Sequence, residues 1–177
     1  MLNKLELLEA EARRANIVLE TLPAIYSILG FYFSTAGCRP VIALAPNLDA
    51  KTRLCVLAEE LGHHYTTVGD ITKLETVAQR KAENYARRWA YARLISPSDF
   101  IECKRLGLRN SFEVACHLNI REDFLLLALK CYQSVYGQHR DCNGYRITFD
   151  PLDVKKLHRT RKQAKVTHKH IEEENAR

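Results

Sequence analysis

The six cysteines, at positions 38, 55, 103, 116, 131 and 142, include no C-x-x-C pair. Without that spacing there is neither a thiolate metal motif nor a tight disulfide framework, and a reduced interior fits better than secretion. Cys55, Cys116 and Cys131 fall among apolar residues in helical stretches, where a thiol acts as a small hydrophobe, so none is assigned to metal. The N-terminus carries an acid at Glu6 and lacks a basic-then-apolar leader organisation, which sets the expectation of a cytoplasmic protein. An uninterrupted apolar span is missing too. The nearly uncharged stretch from Pro23 to Pro46 is long enough to cross a membrane, but Gly30, Ser34, Thr35, Gly37, Arg39 and Pro40 break it. A pair of strands joined by a turn accounts for it better, and no membrane association is expected. Finally, residues 155–170 hold seven Lys/Arg and no acid, whereas residues 1–154 hold 19 Lys/Arg against 18 Asp/Glu. The net charge of +6 therefore sits in the tail. A basic tail is open to nucleic acid, but a solvated end is the favoured reading.

What is present is an ordinary globular composition, 46% hydrophobic and 27% charged over 177 residues, enough for one domain with a full core. We place that domain at residues 1–154 and a basic, mobile tail at 155–177. Leu5, Leu8, Ala12 and Ala15 share one helical face. Ile25 to Phe33 and Val41 to Ala45 read as strands of a small antiparallel sheet or hairpin, turned by Gly37, Arg39 and Pro40. Asp49 caps a helix running to about Tyr65, and a turn at Thr66 to Asp70 follows. Asp70 caps the next helix or orients a ligand histidine. That helix runs from about Thr72 or Lys73 to Ile95, with a break near Lys81 and with Tyr85, Trp89 and Leu94 in the core. Ser96-Pro97-Ser98-Asp99 is a cap signature for a short helix to about Arg105. Beyond Gly107, residues 111–137 read as a helix-turn-helix-like pair joined near Asn119 and stopped at Gly137. Its second helix offers Glu122 and Asp123 rather than cations and amides, so we read it as packing and not as a DNA reader. Tyr145 to Phe149 is a late strand ended by Pro151.

Chemistry concentrates in Val56 to Tyr65, V-L-A-E-E-L-G-H-H-Y, one substitution away from H-E-x-x-H. Ligands four residues apart lie one turn apart on the same helical face and reach one ion; here they are Glu59 and His63. The next residue, Glu60, points roughly 100° around the helix, where a carboxylate can take a proton from the attacking water. The alternative register, Glu60 with His64, places Leu61 at the proton-transfer position, and an aliphatic side chain moves no protons. The plain alternative is a polar helix face. A third ligand is offered by Glu83, twenty residues beyond His63, on a helix whose Ala86, Ala90 and Leu94 share its face and allow close approach.

The run L-A-E-E-L-G-H-H at 57–64, the E-x-x-A-x-x-W-A-x-x-x-L-I-x-P run from Glu83 to Pro97, and L-G-F-Y at 29–32 together resemble the ImmA/IrrE-type metallo-endopeptidases of phages and mobile elements. The departure is Glu59, where the family pattern has histidine. The resemblance implies an α+β, zincin-like and mostly helical fold. It implies zinc, or alternatively manganese or ferrous iron, held by Glu59, His63 and Glu83, with Glu60 as general base. It also implies a protein substrate, a helix-turn-helix repressor encoded nearby. Two other readings stay open: an inactive relative that binds a repressor as an antirepressor, and a DNA-binding regulator.

Overall fold

The structure, a computed structural model, describes residues 3–23, 26–66 and 76–157. It opens with α1 (Lys4–Arg14), held by a capping box in which Asn3 and Glu6 satisfy each other's backbone N–H, the arrangement that quiets the unpaired donors of a helix start. Asn16, in the left-handed region at φ 58°, turns the chain into β1 (Val18–Thr21). Strands β2 (Gly30–Phe33) and β3 (Val41–Leu44) complete a sheet of order β1-β3-β2, with β3 parallel to β1 and antiparallel to β2. The expected hairpin is there. It is shorter at its start than the β-rich run from Ile25 suggested, and β1 makes the sheet mixed rather than antiparallel.

Asp49 accepts the backbone N–H groups of Lys51 and Thr52 and starts α2 (Ala50–Thr66), as its N-cap position required. From Leu54 to Ala58 every residue of this helix is buried, as are Leu61 and Gly62. The reason is location: α2 packs on α1, on β2 and β3, and on α3 (Thr76–Leu94). A helix covered on nearly all sides has no wide polar face, which is why its amphipathic signal is weak. Helix α3 is unbroken at Lys81 within the described residues, and its Ala82, Ala86, Ala90 and Leu94 are buried. Tyr85 departs from expectation: it is 54% exposed, because the alanines occupy the packed face and turn it outward. The turn after Thr66, and Asp70 with it, lies outside the described residues.

Ser96 and Asp99 form the second capping box, for α4 (Pro97–Arg105). Helices α5 (Ser111–Leu118) and α6 (Glu122–Tyr136) are joined through Asn119 at φ 57°, as read from the sequence. Cys55 is buried, Cys131 half-buried, and Cys116 exposed with its Sγ 3.3 Å from Lys51 Nζ. The late strand is the centre of a second sheet of order β4-β5-β6, comprising β4 (His139–Cys142), β5 (Tyr145–Phe149) and β6 (Leu152–Lys156), all antiparallel. Pro151 ends β5 as expected, but the chain returns as β6 through Lys155 and Lys156. Both outer strands were missed because His139-Arg-Asp-Cys and the end of β6 are polar. Only Ile147, Phe149 and Val154 of this sheet are buried.

Residues 158–177 contain few large apolar side chains, so deleting them should move Tm by no more than about 2 °C. Deleting 152–177 removes buried Val154 and uncovers Ile147 and Phe149. A melting curve should then fall by about 5 °C or more, since one buried aliphatic side chain is worth roughly 1.5–3 kcal/mol.

Candidate active site

Glycine at position 62 determines how α2 meets α3. A Cβ built there would lie 2.3 Å from the carbonyl oxygen of Ala86 and 3.0 Å from its Cα, so the two helices touch backbone to backbone. One residue further on, His63 is carried against Glu83, with Nε2 3.4 Å from Oε1. That separation is long for a charge-assisted hydrogen bond, normally about 2.7–2.9 Å. It matches the edge of a tetrahedron whose centre lies about 2.05 Å from each ligand, which is about 3.3 Å. The His63 side chain is 13% exposed and that of Glu83 49%. Burial lowers the His63 pKa against the opposing pull of Glu83, so the ring is neutral at pH 7, the form that ligates. Its Nδ1 is buried and has no hydrogen-bond partner among the described residues.

The other two carboxylates diverge. Glu59, one turn before His63, is half-buried on the side of α3 and α6. Burial raises its pKa, with Glu83 and Asp123 adding to the rise and Arg87 and Arg121 opposing it. Among the described residues no three His, Cys, Asp or Glu side chains converge closely enough to hold a metal ion. The structure thus brings His63 and Glu83 together and leaves Glu59 outside the contact. The donor set fits a divalent ion in two positions, and Glu59 would have to swing inward to supply the third. Without a cation, mutual repulsion with Glu83 works against that movement.

Glu60 faces β2. A Cβ on Gly30 would come 2.8 Å from Glu60 Oε1 and 2.4 Å from Val56 Cγ1, so glycine is what lets the strand lie against this carboxylate. Burial, then the charges of Glu59 and Glu83, push Glu60 up to about 8, against a backbone N–H from Tyr32. His64, one turn on, meets the same strand: the Tyr32 hydroxyl is 3.1 Å from His64 Nδ1. The two registers are therefore separated in space, Glu59 and His63 toward α3, Glu60 and His64 toward β2. His64 packs edge-on to Tyr65, which stacks on Trp89. Sequence reasoning missed Gly62 and Tyr32. A glycine inside a strong helix was the available signal for the first; no local signal marks the second.

Two expected outcomes follow from this geometry. Gly62→Ala gains about 1 kcal/mol of helix propensity but drives a methyl into backbone, and overpacking costs about 1–3 kcal/mol; denaturant melts should show net destabilisation. For the metal-free protein, the folded state holds the Glu60 proton more tightly than the unfolded chain. Stability therefore falls as pH rises from 4.5 to about 8. Glu60→Gln lacks this loss, so it should melt higher than the parent by roughly 2–4 kcal/mol of stability at alkaline pH. The difference should vanish toward pH 4.5. Parallel curves at all pH values would contradict the burial of this carboxyl.

The family model described as Peptidase_M78, IrrE N-terminal-like domain, matches residues 12–130, a span that holds the first sheet, all four candidate site residues and most of α6. The second sheet lies beyond it. No curated protein and no solved structure matches the chain, and no helix among the described residues is long and apolar enough to cross a membrane. The chain belongs to the Peptidase_M78 family of IrrE N-terminal-like domains, a family of metallopeptidase type.

Proposed function

We propose that the chain is a metal-dependent endopeptidase acting on a protein, with Glu59, His63 and Glu83 as metal ligands and Glu60 as general base. The observation that carries this reading is the His63–Glu83 contact of 3.4 Å, with Glu60 one helix position from Glu59 and on the substrate side. A bound divalent ion would supply Lewis acidity toward the scissile carbonyl and the attacking water. Glu60, pressed against β2, takes the proton of that water and delivers it to the leaving nitrogen. Strand β2 is an edge of its sheet, so an extended peptide can lie along it beside Glu60. The resemblance to phage and mobile-element proteins points to a helix-turn-helix repressor as substrate. Zinc is the proposed ion; manganese or ferrous iron compete because a second carboxylate makes the donor set harder.

A second reading rests on the divergence of Glu59. With no three-ligand cluster among the described residues, an inactive relative that binds a repressor is the alternative. Elemental analysis of protein purified without added metal separates the two when paired with Glu83→Ala: stoichiometric metal in the parent, lost in the variant, is expected. Glu60→Gln should retain the metal while losing cleavage by about 10²–10⁴-fold. Zinc titration of the parent, Glu59→His and Glu59→Ala should rank them His first, parent next and Ala last. Equal affinity of parent and Glu59→Ala would remove Glu59 from the ligand set.

A further inference from the structure

Helix α3 carries Arg80, Lys81, Arg87, Arg88 and Arg93 against the single acid Glu83, within a body that is otherwise close to neutral. Inside the helix only Glu83 compensates, three residues from Arg80 and four from Arg87: the first turn has no acid, and no acid stands three or four residues from Lys81 or Arg88. Arg93 pairs with Glu11, and Arg87 with Glu83 at 3.5 Å. Because Ala82, Ala86 and Ala90 take the packed side, Arg80, Lys81, Arg87 and Arg88 are all exposed, with Asn84 and exposed Tyr85 between them. From Arg80 to Arg88 the stripe spans about 12 Å of helix axis. One edge of it adjoins the candidate site, through the Arg87–Glu83 pair.

We propose that this outward face of α3 receives an acidic segment of the protein substrate, so that the enzyme selects proteins with clustered Asp or Glu near the scissile bond; the role in turnover rests on the peptidase reading above. The size of the stripe favours a polypeptide. About 12 Å is the reach of three or four extended residues at about 3.3 Å each, and a flexible segment can set its acids on the cations while passing the carboxylates beside them. A rigid duplex carries a charge about every 1.7 Å and continues in a straight line well past a stripe of about 12 Å, so most of its charges find no cation on this face.

The test is a binding measurement that needs no catalysis: fluorescence anisotropy of a labelled ten-residue oligoglutamate on the full chain carrying Glu60→Gln. The comparisons are a Gly-Ser decamer and a 16-base-pair duplex, in low and physiological salt. Adding Arg80→Glu, Lys81→Glu and Arg88→Glu should weaken oligoglutamate binding on the order of tenfold, as expected from three solvent-screened pairs, whereas Lys155→Glu with Lys156→Glu should leave it unchanged. Higher salt should weaken the parent and not the triple variant. If the triple reversal fails to fold, glutamine at the same three positions should give about threefold. Equal binding by parent and variant overturns the proposal, as does a parent that does not bind oligoglutamate. Tighter binding of the duplex, lost in the same variant, would make this face a nucleic-acid surface instead. Absence of Glu60-dependent cleavage would overturn the peptidase reading while leaving the anisotropy result intact.

Discussion

The backbone contact between Gly62 and Ala86 is the constraint on which the site depends. Two helices bearing ordinary side chains pack with axes about 8–10 Å apart. A glycine on one and an alanine on the other place α2 and α3 at the close end of that range. Only then do the imidazole of His63 and the carboxylate of Glu83, short side chains from different helices, meet at 3.4 Å. The buried alanines along α3 extend the same contact, and the first sheet backs α2 from the other side. Rigidity at this seam matters to the proposed metal site, because two ligands displaced by an ångström would no longer share an ion.

The cleft behind that seam is electrostatically incomplete. Burial raises the pKa of Glu59 and of Glu60, the charge of Glu83 adds to both, and that of Glu59 adds to Glu60. Against them stands Arg87, with Arg121 acting on Glu59. A general base held near 8 is protonated at neutral pH and cannot accept a proton. A divalent cation between His63 and Glu83 would reverse the imbalance: it draws Glu59 inward, lowers the affinity of Glu60 for its proton, and makes that carboxylate a base in the neutral range. The charge of the proposed ion would thus balance this arrangement of acids.

Much of this was legible in the chain. The capping residues Asp49, Ser96 and Asp99, the stop at Gly137 and the joint near Asn119 are local features whose physics is contained within three or four residues, and each reappears in the structure. The meeting of His63 with Glu83 was legible as well, because the alanine spacing after Glu83 signals a close helix partner. What escaped depended on distant partners. β4 and β6 are polar strands paired only to β5, so their own sequence has no strand pattern. Tyr85 looked like core until the alanines took that face. Tyr32 meets His64 across 32 positions, and the separation of Glu59 from Glu60 into two faces, one toward α3 and one toward β2, follows from where the sheet lies.

Charge is segregated across a short distance: carboxylates line the cleft and cations form its rim on α3. Beyond a Debye length of about 8 Å in physiological salt the two nearly cancel, so the body near the site attracts or repels a distant partner little. Within contact distance they act separately, and Arg87 stands at the boundary, paired with Glu83 and adjoining the rim. A histidine at position 59 would remove one negative charge from the cleft and leave the ion with a formal charge of about +1 rather than about zero. As a ligand of the proposed ion, glutamate there would weaken its pull on water and on Glu60 and would leave the cations of α3 as the principal source of attraction for an acidic segment. Under the two proposals together, the Glu59 substitution and the cationic stripe are parts of one electrostatic arrangement: α3 would carry recognition, and a bound divalent ion would bring the site close to neutral.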